Sequence, residues 1–351
     1  MDQGKTTLPS TTEANSSQSP AALSPAHLAA AGLLFITFLV GAVGNGLYLW
    51  VLGLKMRRTV TTLWFLHLIS CNLLFTLLIP FFAVYILLGL HWVFGTAMCK
   101  LLNTFVCVGM FSSVFLLTLI SLDRYTLIHK PMWSRSHRTL ALAGKLVVGV
   151  WLVSFGLSAP YLVFRETHVV DRDRITCINN YNISRNWNGT ETWVLGHQIH
   201  LTMFVIQFLL GFLLPLCTIV GCYTRVGLKM KEKRLAWAGK PFKVMVAAVA
   251  SFFLGWLPYQ LFQSATVYRK ELPESVSGTL LVIYIITACF NACFSPIFYL
   301  FVGEKFWLVF RTSLLTLVKT GFVDKLSSSA PTLMEDTGVS LRTQNAVCPE
   351  D

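Results

Sequence analysis

The sequence predicts an all-α membrane protein, a bundle of seven transmembrane helices with an amphipathic eighth helix, and three observations carry the prediction. Apolar residues make up 54% of the 351-residue chain and charged ones only 13%, about half the ~25% charged fraction of soluble domains. A soluble fold could not hide that much apolar surface, so lipid has to cover it, which also excludes a disordered chain or a disulfide-stapled secreted domain. Seven stretches lack Asp, Glu, Lys and Arg over the roughly 18 or more residues that a bilayer crossing needs: 14–54, 59–99, 101–122, 146–164, 192–224, 244–268 and 275–303. The net charge of +12 gathers on one side of those stretches.

Inside lipid the backbone must satisfy its own hydrogen bonds, so each stretch reads as a helix. The first opens on Ser, Pro and Ala, which places its helix start near His27. The residues before it are polar and hold no apolar core, so no cleavable leader is read and the first span serves as its own insertion signal. Pro80, Pro160, Pro215, Pro258 and Pro296 fall within spans and read as kinks. The chain divides into an extracellular, glycosylated tail 1–27, a bundle 28–302, a segment 303–320 and a cytoplasmic tail 321–351. In 303–320, Phe306, Phe310 and Leu314 recur at helical spacing with Lys305, Arg311 and Lys319 around them, the pattern of a helix lying on a membrane surface. The last tail sets Ser327, Ser328, Ser329, Thr332, Thr337, Ser340 and Thr343 among acids, and reads as disordered and open to phosphorylation.

Orientation follows from the cations. Fifteen Lys and Arg side chains between Lys55 and Lys243 lie on one face against only Asp123 and Glu232, whereas the opposite tail and loops balance eight cations with eight acids. The positive face is cytoplasmic and the N-terminus outside. The charge is therefore a membrane- and partner-facing surface, and no nucleic acid is expected. Three glycosylation triplets, at Asn15, Asn182 and Asn188, all fall on the outer side. Of nine cysteines, Cys71, Cys107, Cys217, Cys222, Cys289 and Cys293 lie within spans and Cys348 in the last tail. Cys99 and Cys177 alone face the oxidising side, where two exposed thiols most simply pair and pin the loop 163–196 across the mouth.

One acid–base cluster stands out among the apolar runs: Asp123-Arg124-Tyr125, at the cytoplasmic end of the third span. Ionisable groups at such a place are functional hypotheses by default; an ordinary end-of-helix anchor is the plainer alternative. Arg124 lies 25 residues after Cys99, roughly 37 Å of helix at 1.5 Å per residue, so the disulfide sits at one membrane face and the arginine at the other.

At this point the chain resembles the rhodopsin-like (class A) G-protein-coupled receptors over roughly 28–320. The matching residues are Asn45 in Gly44-Asn45-Gly46, Asp123-Arg124-Tyr125, Trp151, Pro215 with Tyr223, Trp256-Leu257-Pro258 and Pro296-Ile297-Phe298-Tyr299, in order and across six of the seven spans. Trp92-Val93-Phe94-Gly95, His129-Lys130-Pro131-Met132-Trp133, His137-Arg138-Thr139, Lys240-Pro241-Phe242-Lys243 and Tyr299-Leu300-Phe301-Val302-Gly303 are similar to the chemoattractant branch of formyl-peptide and chemerin receptors. The resemblance implies a receptor, not an enzyme, that carries an extracellular signal to a heterotrimeric G protein, of the inhibitory type, with arrestin and receptor kinases as further partners. It implies that Arg124 pairs with Asp123 at rest and releases to meet the G protein near Tyr223. Trp256 would lie beneath the ligand, Pro258 would supply the kink about which the sixth span swings, and Tyr299 beyond Pro296 would turn inward.

Two departures bear on mechanism. The family's sodium-binding aspartate in the second span is here Asn72, and the seventh span's usual Asn-Pro is Ser295-Pro296; Ser113 and Asn291 remain. Without a carboxylate, desolvation of a buried sodium ion is poorly offset, so a weak or absent sodium effect is expected, with a raised basal state or poor coupling as consequences. In the pocket, Val106 stands where amine receptors carry an aspartate, Cys107 where formyl-peptide receptors place an acid, and Met203 and Gln207 where those place arginines. By helical position the remaining lining is Phe82, Tyr85, Met110, Phe111, Tyr259, Gln260, Gln263 and Tyr284. That is an apolar, aromatic pocket suited to a lipid mediator or an apolar peptide, although the same aromatics would serve as inter-helix packing.

Rival readings find less support. A transporter needs midplane ionisable groups or broken repeats, a retinal pigment needs a lysine in 275–303, and a membrane enzyme needs paired aspartates or a His-Glu-x-x-His; none is present. No cofactor is expected. His197 and His200 could hold a metal, but read more simply as interfacial side chains. Within the fold, a chemoattractant scavenger that does not signal is the serious alternative.

Overall fold

The structure, a computed structural model, describes residues 25–170, 174–181, 190–232, 239–268 and 273–300, together with Leu308, Val309, Arg311, Thr312, Leu315 and Thr316. For 190–193, 239–245, 247–248, 268, 274 and 292–300 it describes the backbone alone. The asparagines of the three glycosylation triplets, residues 1–24 and the tail 321–351 lie outside the described residues, as do the side chains of Ser295, Pro296 and Tyr299. Of 303–320, the six residues named above are described, all helical, which leaves the surface helix a sequence expectation.

Seven long helical rods stand where seven apolar runs were read. The first is α1 (Pro25–Trp50), continuing into a wide π turn at Val51–Lys55; α2 (Val60–Leu87) and α3 (Gly95–His129) follow. A short α4 (Pro131–His137) leads to α5 (Leu140–Ser158) and α6 (Pro160–Phe164), which together make the fourth rod. The strands β1 (Arg165–Val169) and β2 (Ile175–Asn179) precede a fifth rod built from α7 (Thr190–Phe208), a π turn at Leu209–Leu213 and α8 (Leu214–Glu232). The sixth and seventh are α9 (Gly239–Tyr268) and α10 (Glu274–Leu300).

The run 59–99 is not one span. The chain leaves α2 at Leu87, turns through Gly89 and Leu90 (φ 66° and 65°) and enters α3 at Gly95 (φ 74°). None of 88–94 is charged, so absence of charge could not mark this turn, and Lys100 falls inside α3 instead of beside it. Its ammonium donates to the Val163 carbonyl at 3.3 Å. The prolines also divide: Pro80 and Pro258 lie inside α2 and α9, while Pro160 starts α6 and Pro215 follows a π turn, where a missing N–H costs least.

The third rod is the centre of the bundle, with every residue from Val106 to Val114 buried. The outer rods keep apolar faces outward, as at Val43, Val148 and Leu152, the arrangement expected of a wall against lipid. Polar ties cross the interior: the Asn45 amide of α1 donates to the Thr76 hydroxyl of α2 at 3.5 Å, and the Trp151 indole N–H to His67 Nδ1 at 3.3 Å. Such ties are worth about 0.6–2 kcal/mol within a membrane.

At one end, hereafter the hairpin end, β1 and β2 pair antiparallel with Thr167 opposite Cys177. The expected disulfide joins Cys177 to Cys99 near the start of α3, with Cα atoms 5.8 Å apart. The loop 88–94 seals the side: the Trp92 N–H donates to the Ile175 carbonyl at 2.7 Å and the Ile175 N–H to His91 Nδ1 at 3.1 Å. Trp92 packs edge-on against Tyr85 and Phe94, with ring centres 5.5 and 5.2 Å apart.

Candidate functional site

Beneath the hairpin lies a cavity of about 520 Å³. Of the twelve pocket positions expected from helical phase, Phe82, Tyr85, Tyr259, Gln263 and Tyr284 line it. Val106, Cys107, Met110, Phe111, Met203, Gln207 and Gln260 do not. A hydrogen-bonded bridge reaches the lining Tyr259 from the neighbouring rods: the Tyr161 hydroxyl donates to Gln207 Oε1, and the Gln207 amide donates to the Tyr259 hydroxyl. The fourth, fifth and sixth rods are thereby tied at one level. Below it, Gly211 in the π turn sits so close to Phe111 and Met110 that a Cβ would meet their side chains at 3.0 and 3.1 Å.

The hairpin supplies what helical phase could not show. Arg165, Arg174 and Asn179 line the cavity, joined by Asn103 and His200, and no Asp or Glu is among the described lining residues. The Arg165 guanidinium donates to the Cys177 carbonyl at 3.2 Å, stands 5.9 Å from the Tyr161 ring centre and keeps a buried, unpartnered Nε. Tyr181 stacks on His200 with ring centres 4.6 Å apart. Burial pushes the Tyr181 phenol up to about 12, so it stays neutral near pH 7 and does not offset the arginines. Among the described residues no group of three or more His, Cys, Asp or Glu could hold a metal. The cavity floor is aromatic: Tyr259 meets Tyr284 at 4.8 Å and Trp256 at 5.7 Å between ring centres.

The end opposite the hairpin holds Asp123, Arg124 and Tyr125. Asp123 does not pair with Arg124, as the resemblance implied; its partner is Arg138, which follows α4. Arg138 Nε donates to Oδ1 at 2.6 Å and Nη2 to Oδ2 at 3.1 Å. Arg124 instead donates to the Thr61 hydroxyl on α2 at 3.2 Å. Adjacent residues on a helix point some 100° apart, which leaves the carboxylate facing the loop. Tyr125 stacks on His129 at 4.4 Å, and Tyr223 of α8 is buried within electrostatic range of Arg124.

The model of the 7 transmembrane receptor (rhodopsin family) matches residues 44–299. The chain belongs to that family. Its relatives include the human Probable G-protein coupled receptor 33, 45% identical over 84% of this chain and 88% of that one. The black-rat (Rattus rattus) protein of that name is 46% identical over 93% and 95%. Human Chemerin-like receptor 1 is 38% identical over 77% and 74%. These are signalling receptors rather than enzymes, and the family couples an extracellular ligand to a G protein as a multi-pass protein of the plasma membrane.

In the receptor's core, Asn72, Ser113 and Asn291 come together around a second cavity of about 10 Å³, with Trp256, Phe75, Phe252 and Cys71. That is room for about one water molecule. Members of the family bind sodium at this level, and the residues here do not fit the ion. No carboxylate is among the described lining residues, and the lining Asn72 keeps a buried, unpartnered amide Nδ2, a donor. A water molecule accepts from such a group and a cation cannot.

Proposed function

We propose that this receptor recognises a ligand joining an apolar body to a carboxylate, and passes the signal to an inhibitory G protein in the manner of a chemoattractant receptor. One observation carries the ligand class: Arg165 and Arg174 overhang an aromatic floor with no acid among the described lining residues. A fatty acid and the free C-terminus of an apolar peptide share that chemistry. The disulfide at the hairpin end favours placing that end outside, and the cations of the opposite end favour the cytoplasm. A carboxylate held at the hairpin would press its apolar body onto Tyr259 and Tyr284, whose aromatic contacts run on to Trp256. Pro258 then serves as the pivot of α9, while Arg124 and Tyr223, with Pro296 and Tyr299 of α10, form the end that meets the G protein. Arrestin and receptor kinases act on the Ser- and Thr-rich tail.

The test uses cells expressing the natural chain, Arg165→Ala, Arg174→Ala and Arg124→Ala at matched surface density. Unsaturated long-chain fatty acids with their methyl esters, and apolar peptides as C-terminal acids and amides, are the probes; inhibition of cyclic AMP is the readout. Acids should exceed esters or amides by about tenfold or more, the worth of a charge-assisted hydrogen bond. Arg165→Ala should erase that margin and Arg124→Ala the signal. Equal potency of acid and amide would sink the carboxylate. Uptake of the acid without signalling would instead make the protein a scavenger.

A further inference from the structure

The pairing of Asp123 with Arg138 reaches beyond the reading of the ligand, and rests on Arg124 as the group that meets the G protein. Asp123 is largely buried, with 8% of its side chain exposed against 23% for Arg138, and both its oxygens are taken by one guanidinium. The same Arg138 donates Nη2 to the Thr61 hydroxyl at 2.8 Å, the atom that also receives Arg124 Nη2 at 3.2 Å. Two guanidiniums thus converge on one hydroxyl while the only carboxylate in the group is fully occupied by the more distant residue. Arg124 Nε is buried without a partner. The segment 233–245, which enters α9, contains neither Asp nor Glu, so that stretch offers Arg124 no acid.

We propose that Arg138 is a positioning residue for coupling: by occupying Asp123 it keeps Arg124 on Thr61, available to the G protein, and it ties the α4 loop to α3. The consequence runs against intuition. Removing Arg138 leaves a buried carboxylate without a counter-charge, a costly state, and Arg124 on the adjacent residue is a cation already in electrostatic range. Asp123 then captures Arg124, and coupling falls even though Asp123, Arg124 and Tyr125 are all intact. Neutralising Asp123 in that background removes the trap.

Four full-length proteins test this in lipid nanodiscs: the natural chain, Arg138→Ala, Asp123→Asn and the double variant, with Arg138→Lys as a conservative control. Amide hydrogen exchange over 131–137 reports the tie. It should quicken in Arg138→Ala and equally in Asp123→Asn, with no further gain in the double variant. Basal nucleotide exchange on purified inhibitory G protein reports the positioning. It should drop about fivefold in Arg138→Ala, the low end of measured site-to-site couplings, recover in the double variant and be partly kept in Arg138→Lys. Unchanged loop exchange in Asp123→Asn overturns the tie. A double variant as poor as Arg138→Ala overturns the capture, and shows Arg138 to be loop support only. Equal nucleotide exchange in all the proteins overturns the positioning role. If that equal value is zero, exchange is repeated with the most potent fatty acid of the cyclic AMP assay: zero there too fails the coupling reading itself, and the loop exchange still reports whether Arg138 holds Asp123.

Discussion

The two ends of the bundle treat their arginines in opposite ways. At the hairpin end Arg165 and Arg174 face a cavity of about 520 Å³ with no carboxylate among its described walls. At the other end Arg138 is bound to both oxygens of Asp123, and Arg124 rests on Thr61. The means of holding differ as well: a disulfide fixes the hairpin, whereas an ion pair and shared hydroxyl fix the α4 loop. Arg165 keeps a buried Nε open beside that cavity, whereas a cation bound within the fold sets the shape of a neighbour. The hairpin end is held by a covalent bond and the α4 loop by an ion pair that other charges can compete for.

The largest expected effect breaks the covalent side of that contrast. Replacing Cys99 and Cys177 together by Ser should remove on the order of 2–5 kcal/mol of stability, seen as a marked fall in surface-labelled receptor and in the melting temperature of the purified chain. Retention of both would mean that the His91 and Trp92 bonds to Ile175 hold the hairpin unaided. A middle-sized effect tests whether the two ends communicate through close packing of the sixth and seventh rods. A Cβ on Gly255 would stand 2.9 Å from the Cβ of Asn291, so Gly255→Ala should cost roughly 1–3 kcal/mol by overpacking and lower the melting temperature by several degrees. An unaltered melt would show that the rods can part freely. The smallest concerns the water-sized cavity between the ends. Exchanging potassium chloride for sodium chloride at constant ionic strength should leave the natural chain's melt unmoved, and Asn72→Asp should create a sodium-dependent gain that follows occupancy. Sodium dependence in the natural chain would contradict the donor set around Asn72.

Much of the architecture was legible because lipid imposes one rule on every span: apolar, uncharged and long enough. The turn at 88–94 escaped that rule, being built of apolar residues, His91 and Gly89, with Lys100 beyond it inside α3. Helical phase found Phe82, Tyr85, Tyr259, Gln263 and Tyr284 because their rods are regular where they meet the cavity. It put Gln207 and Gln260 into the pocket as well, since it carries no information about which side chains engage one another, and Gln207 is taken up between Tyr161 and Tyr259. Arg165 and Arg174 were missed because the loop's overall charge is balanced, and only the fold of β1 on β2 turns these two side chains inward. The partner of Asp123 lies fifteen residues away across a loop, and no spacing rule competes with an arginine next door. Two arginines shortly before a disulfide-bonded Cys177 were the available hint for the first case; for the second there was none.

The π turn at Leu209–Leu213 has a further consequence. A regular helix is a rigid screw in which twisting one end by some angle twists the other by the same amount. Accommodating one extra residue per turn slips the thread, so the stretch carrying Gln207 and the stretch carrying Tyr223 need not rotate in step. The fifth rod thus works less like a piston than like a shaft with a clutch. Tension drawn on its upper half through the phenols of Tyr161 and Tyr259 can be taken up at Gly211, against Phe111, before any torque reaches the lower half.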